Sequence, residues 1–152
     1  MRSNRRGNIS EWAQYGKIEL DSDVLYLLFD QVTNYEQLEA LLLLHGCPAQ
    51  AWSVAAVAAA LRTDPDSAAS ALDELASHQL VALTSGDHGP QYQYSAAPDG
   101  VGATVDRLAQ AYAQQRLEVV KQMSANAIDR LRSSAARTFS DAFIFRRKKD
   151  DR

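Results

Sequence analysis

The side chains that chemistry usually needs are present in this chain but are not grouped. His45 and Cys47 stand two apart across Gly46, a spacing that could suit a metal pair or a thiol–imidazole couple. A zinc site needs further ligands, and none lies near in sequence, so a helix-end histidine beside a buried cysteine is the plainer account. Asp64 and Asp66 flank Pro65, yet a calcium loop needs more carboxylates and a glycine in register. Helix capping suits those two acids better. No phosphate-binding glycine loop, HExxH, paired CxxC or GxSxG occurs. The expectation is a non-enzymatic protein with no cofactor and no metal.

Charge is the stronger signal. The net value of −3 over 152 residues hides a segregation along the chain. Residues 1–17 carry Arg2, Arg5, Arg6 and Lys17 against Glu11, whereas residues 18–106 carry thirteen acids and a single base, Arg62. Residues 107–152 then hold eleven bases and five acids. An acidic middle between two basic ends points to a partner or to self-association. An apolar fraction of 46% with few Pro and Gly fits a folded globular chain, and its length fits one domain with extensions. The single Cys47 excludes an internal disulfide framework and suits a reducing compartment. The longest apolar run near the basic start, Val24–Phe29, is far too short to span a bilayer. A soluble cytoplasmic protein is expected.

Periodicity and end signals divide the chain further. Asp21 or Ser22 can cap a short helix carrying Val24, Leu25, Leu27, Leu28 and Val32, although a strand through the same run is also possible. Asn34 is a good N-cap for a helix through Tyr35, Leu38, Leu41, Leu42 and His45, which Gly46 stops. A second helix starts near Ala51 or Ser53, with Val54, Val57, Ala58 and Leu61 on one stripe, and closes at Arg62. Thr63-Asp64-Pro65-Asp66 is a dense start signal: either Thr63 caps in a box with Asp66, or Asp64 caps with Pro65 at the first position. The third helix has Ala68, Ala71, Leu72 and Leu75 inward. Leu80–Thr84 and Gln91–Ser95 read as strands around a Ser85–Pro90 loop. From Val101 to about Phe143 there is neither Pro nor Gly beyond Gly102, which predicts one long helix or two, with any kink at Ser124–Asn126.

Three short helices and a hairpin, with a tight turn between helices two and three, make the winged helix arrangement. Ala51–Leu61, Asp66–Leu75 and Leu80-Val-Ala-Leu83 resemble the MarR- and ArsR-type bacterial transcriptional regulators over about residues 34–95. The fold class expected is mainly α with a small β-hairpin, a winged helix-turn-helix domain plus a long C-terminal helix. The organisation expected is a basic arm at 1–20, the winged domain at 21–98, the long helix at 99–145 and a charged tail at 146–152. The resemblance implies that helix three lies in the DNA major groove and that the flanking helices form a dimer. Here the outward positions of that helix are Asp66, Ser67, Ser70, Asp73, Glu74 and Ser77, with Asp87 and His88 at the wing tip and no Lys or Arg among them.

A surface without cations forgoes the counterion-release term that dominates DNA affinity and adds repulsion against phosphate. Three readings follow. The first is a transcription-associated regulator working mainly through protein–protein contacts, with a protein partner or a second copy as its target and only weak DNA binding through the winged unit. In it, Phe139, Phe143 and Phe145 dock on an apolar surface while Arg146, Arg147, Lys148 and Lys149 meet an acidic one. The second is a dimeric DNA-binding regulator whose basic termini contact phosphates. The third, least favoured, is membrane-surface attachment by the aromatic and basic tail. Val105, Leu108, Tyr112, Val120 and Leu131 are the stripe expected to serve dimerisation or packing.

Overall fold

The structure, a computed structural model, describes the backbone of residues 20–150 and the side chains of residues 20–142. The basic arm at the N-terminus therefore lies outside the described residues, as do the side chains of Phe143, Phe145 and Arg146–Lys149.

Asp21 opens helix α1 (Ser22–Asp30), its carboxylate accepting from the Asp23 amide, so a helix forms where a strand was also conceivable. Asn34 caps α2 (Tyr35–Gly46) by accepting from the Gln37 amide at 2.8 Å. Gln37 Oε1 accepts in return from the Thr33 backbone amide at 2.9 Å, so two otherwise orphaned donors are satisfied. Ser53 caps α3 (Val54–Leu61), and Asp64 caps α4 (Pro65–Ser77) with Pro65 in the first turn. The Asp64 alternative is thus the one adopted. α3 ends on Arg62, in the left-handed region at φ 56°. Strands β2 (Val81–Gly86) and β3 (Gly89–Tyr94) run antiparallel, joined by Asp87 and His88 alone. The strands therefore reach further than expected and the connection shrinks to two residues, with Gly89 at φ 107° letting the chain re-enter the ladder. A short strand β1 (Trp52–Ser53) pairs with β3 through Trp52 to Tyr92 and Ser53 to Gln91, giving the order β1-β3-β2.

Helix α5 (Val101–Gln114) and helix α6 (Arg116–Asp150) complete the described chain. The break falls at Gln115, φ −138° and ψ 49°, and not at Ser124–Asn126, where α6 is continuous. The cause is tertiary. Tyr112 and Arg116, on either side of Gln115, are both drawn onto α2: the Tyr112 hydroxyl lies 3.1 Å from the Tyr35 hydroxyl and 3.2 Å from Glu39 Oε1. Arg116 donates to the Tyr35 hydroxyl and stacks over the Tyr112 ring. Asn126 turns inward, 5% exposed, and accepts from Gln122 one turn earlier at 3.0 Å.

The core joins all of these elements. Leu28, Leu38, Leu41, Leu44, Val57, Leu72, Leu75, Leu80, Val105 and Leu108 are fully buried. Val119 and Met123 bring the near half of α6 onto the same cluster. Val105 and Leu108, expected on a stripe for dimerisation or packing, are therefore committed to the chain's own core. Three arginines staple the outer helices. Arg107 Nε lies 2.8 Å from Asp21 and Arg107 Nη2 lies 3.2 Å from Asp23. Arg116 reaches Glu39 at 3.8 Å, and Arg130 caps the end of α1 through the Phe29 carbonyl and ring. Beyond Arg130 every described side chain of α6 is exposed. The helix leaves the body there and continues through Asp150, its 35 residues spanning about 52 Å. The segment 146–150, expected as part of a charged tail, is helical.

Candidate nucleic-acid interface

The α3–turn–α4 unit with the β2–β3 wing beside it is a winged helix-turn-helix. Its geometry decides which side chains are offered outward. On α4, Ala68, Ala71, Leu72 and Leu75 are buried. At 100° per residue the line diametrically opposite holds Asp66, Ser70, Asp73 and Ser77, all exposed. Glu74 is exposed at the edge of that line, and Ser67 is half-buried. All six positions expected to face outward lie on α4 as anticipated, but they are not equally available. The Ser67 hydroxyl donates to the capping Asp64 at 2.6 Å, and the Ser77 hydroxyl turns back to the Glu74 carbonyl at 2.7 Å. Asp66 and Ser70 enter no side-chain hydrogen bond or ion pair with another described residue. Exposed Ala55, Ala56, Ala59 and Ala60 make the outer face of α3 small and without side-chain donors.

The wing is tied to this helix by one bond that the sequence does not announce. Tyr92 on β3 is 3% exposed, and its hydroxyl donates to Asp73 Oδ1 at 2.5 Å. Burial, and then the bond to Asp73, push the Tyr92 hydroxyl up to about 12. It stays protonated and a donor, and one Asp73 oxygen is occupied from within. Asp87 and His88 are exposed at the wing tip. At the other end of the sheet, Tyr94 sits edge-on to His45 with ring centroids 5.1 Å apart, and His45 Nε2 lies 2.7 Å from Asp106. His45 thus joins α2 to α5. Cys47, expected to be buried, is exposed because it lies past the end of α2 as its C-cap residue, and among the described residues no group of three possible metal ligands forms.

Among the described residues before α5 the one Lys or Arg is Arg62, exposed in the turn that leads into α4. In the sequence it is both the end of α3 and the single base of the acidic middle segment. Its left-handed backbone, usually given to Gly or Asn, sets it apart in hindsight. Of the bases after residue 106, Arg107, Arg116 and Arg130 serve as staples, while Arg132 and Arg137 are exposed on the free part of α6.

That free helix has its own pattern. Leu117, Ile128 and Leu131 are 64%, 48% and 70% exposed. With half-buried Val120, and with Ser124 and Ala135, they recur every three or four residues along one side, the spacing of a helix–helix seam. Tyr112 is half-buried in its cluster with Tyr35, and Phe139 is 71% exposed. Tyr26 and Phe29 add exposed aromatic surface on α1.

No family model matches the chain, and no curated protein matches it. Among solved structures it is similar to MepR of Staphylococcus aureus, described as a transcription regulator of the multidrug efflux pump MepA. That likeness has 15% identity and a TM-score of 0.48, covering 93% of this chain and 98% of that one. A MepR–DNA complex gives 17% identity and a TM-score of 0.48 over 86% of this chain and 98% of that one. YusO from Bacillus subtilis gives 16% identity and a TM-score of 0.46 over 90% and 98%. The winged helix-turn-helix assignment itself rests on the order and packing of α3, α4, β2 and β3.

Proposed function

We propose that this chain is a non-enzymatic, dimeric transcriptional regulator that binds duplex DNA, with α4 in the major groove and the basic ends of the chain on phosphates. One observation carries the reading: a 13-residue helix, about 20 Å long, stands with its outward line unpacked beside a wing fixed to it by Tyr92. A groove-reading element has this form. The exposed seam on α6 supports a second copy as the other half of a two-fold assembly, and no helix among the described residues is long and apolar enough to cross a membrane.

The reading in which the basic tail meets an acidic surface of a partner gains no support within the protomer, where the described side chains of α6 beyond Arg130 are all exposed. Acidity instead defines how such a protein binds DNA. The winged body supplies fit, and cations from Arg62, the N-terminal arm and Arg146–Lys149 supply affinity. Fluorescence anisotropy of the full chain on random 30-base-pair duplex at about 50 mM salt tests this. Binding should weaken with salt at a log–log slope of about −0.9 per phosphate neutralised. Removing residues 146–152 should make that slope shallower. Absence of duplex binding by the full chain would return the acidic face to a protein partner. Binding with a slope indifferent to the tail would refute the tail's phosphate contacts.

A further inference from the structure

We infer that Asp66 is a base-reading residue and selects cytosine. The inference rests on the DNA-binding reading above. Asp66 lies in the first turn of α4, on the line opposite the buried face, exposed and uncommitted to any described side chain. The N-terminal residues of a groove-reading helix are the ones that reach base edges. An ionised carboxylate can only accept hydrogen bonds.

The major groove offers two donors, the amino groups of cytosine and adenine; guanine shows two acceptors, and thymine an acceptor and a methyl group. Adenine's amino group is flanked by its N7 acceptor, which repels a carboxylate. On its own base, cytosine's amino group has only the C5–H beside it, where adenine's has N7. A carboxylate at this position therefore favours cytosine and penalises guanine, the base that an arginine in its place would choose.

Neighbouring side chains sharpen the choice. Ser70, one turn on, can donate or accept and tolerates most bases. Asp73 is another acceptor, held in place by Tyr92. The central line therefore carries no obligate donor to match guanine O6 and N7.

The test uses the full-length protein and selection from a random duplex pool at about 50 mM salt, followed by anisotropy on the enriched sites. The parent should enrich cytosine at one position of each half-site. Asp66→Asn, whose amide pairs with adenine N6 and N7, should move the preference at that position to adenine, with relative affinity changing about tenfold. Asp66→Ala should flatten the preference there and leave the rest of the site unchanged. The residue is exposed, and circular dichroism should find both variants folded like the parent. Enriched sites that are the same for parent and Asp66→Asn would overturn the inference while leaving the DNA-binding reading intact. If the parent enriches no duplex at all, that underlying reading falls, and the assignment of Asp66 with it.

Discussion

The bond between Tyr92 and Asp73 makes a sharp prediction about how firmly the wing is held to α4. Replacing Tyr92 by Phe keeps the buried ring and deletes one charge-assisted hydrogen bond of 2.5 Å. Moving a tyrosine hydroxyl from 10.0 to about 12 corresponds to about 2.7 kcal/mol at ~1.36 kcal/mol per pH unit, with burial the largest cause and the bond to Asp73 only the next. Asp73 is exposed, so water screens part of this and rehydrates its carboxylate in the variant. The expected loss near neutral pH is therefore about 1–1.5 kcal/mol, or about 2–6 °C in Tm. The sign of the pH dependence follows from linkage. The folded hydroxyl titrates above the unfolded one, so the contribution is whole below pH 10 and is lost as pH rises from 10 toward 12. Urea unfolding of parent and Tyr92→Phe at pH 8 and at pH 11.5 gives the assay. The gap between the two proteins should be open at pH 8 and nearly closed at pH 11.5. Equal stability at pH 8, or a gap that widens with alkali, would refute the reasoning.

Two further outcomes follow. Asp64→Ala should fray the start of α4 and lower Tm, because the Ser67 amide and hydroxyl lose their acceptor at 2.9 and 2.6 Å. The Ser67 bonds hold the Asp64 carboxyl below its ordinary 3.8, so its contribution is present above that pH and is lost on further acidification, and thermal melts of parent and variant should converge as the pH is lowered below that value. Ile128→Asp combined with Leu131→Asp should give a monomer by sedimentation velocity. Its intrachain stability should change by less than about 0.5 kcal/mol, since both side chains are largely exposed. A parent that sediments as a monomer, or a variant that stays dimeric, would remove the seam.

Local signals in the sequence carried the winged unit well. Asn34, Asp64-Pro65 and the inward stripe Ala68, Ala71, Leu72 and Leu75 are written within a turn or two of where they act. Features made by distant partners were not legible. Tyr92 meets Asp73 across 19 residues, Arg116 meets Tyr35 across 81, and Arg130 meets Phe29 across 101. Arginines that counted as a basic C-terminal surface became staples on acids and a helix end of the body. β1, two residues long, has no room for an alternating pattern, and its place is set by Tyr92 and Gln91 on the strand opposite. The kink moved to Gln115 because packing onto α2, and not local propensity, sets it. That the outward positions of α4 hold acids and hydroxyls but no Lys or Arg is legible in the sequence alone. Their different availability depended on Asp64, Glu74 and Tyr92, which only the folded chain brings into reach.

The far half of α6 has a thermodynamic corollary. From Leu131 to Ala142 the described side chains are exposed, and a helix of that length without a buried face is marginal in water. Its ordering is then linked to whatever covers it. Mean residue ellipticity at 222 nm should rise with protein concentration, and amide protons of this stretch should exchange quickly in dilute solution and slowly at high concentration. On the dimeric reading proposed above, the same linkage would let a cell tune occupancy by abundance alone, since dissociation would also melt this terminal rod.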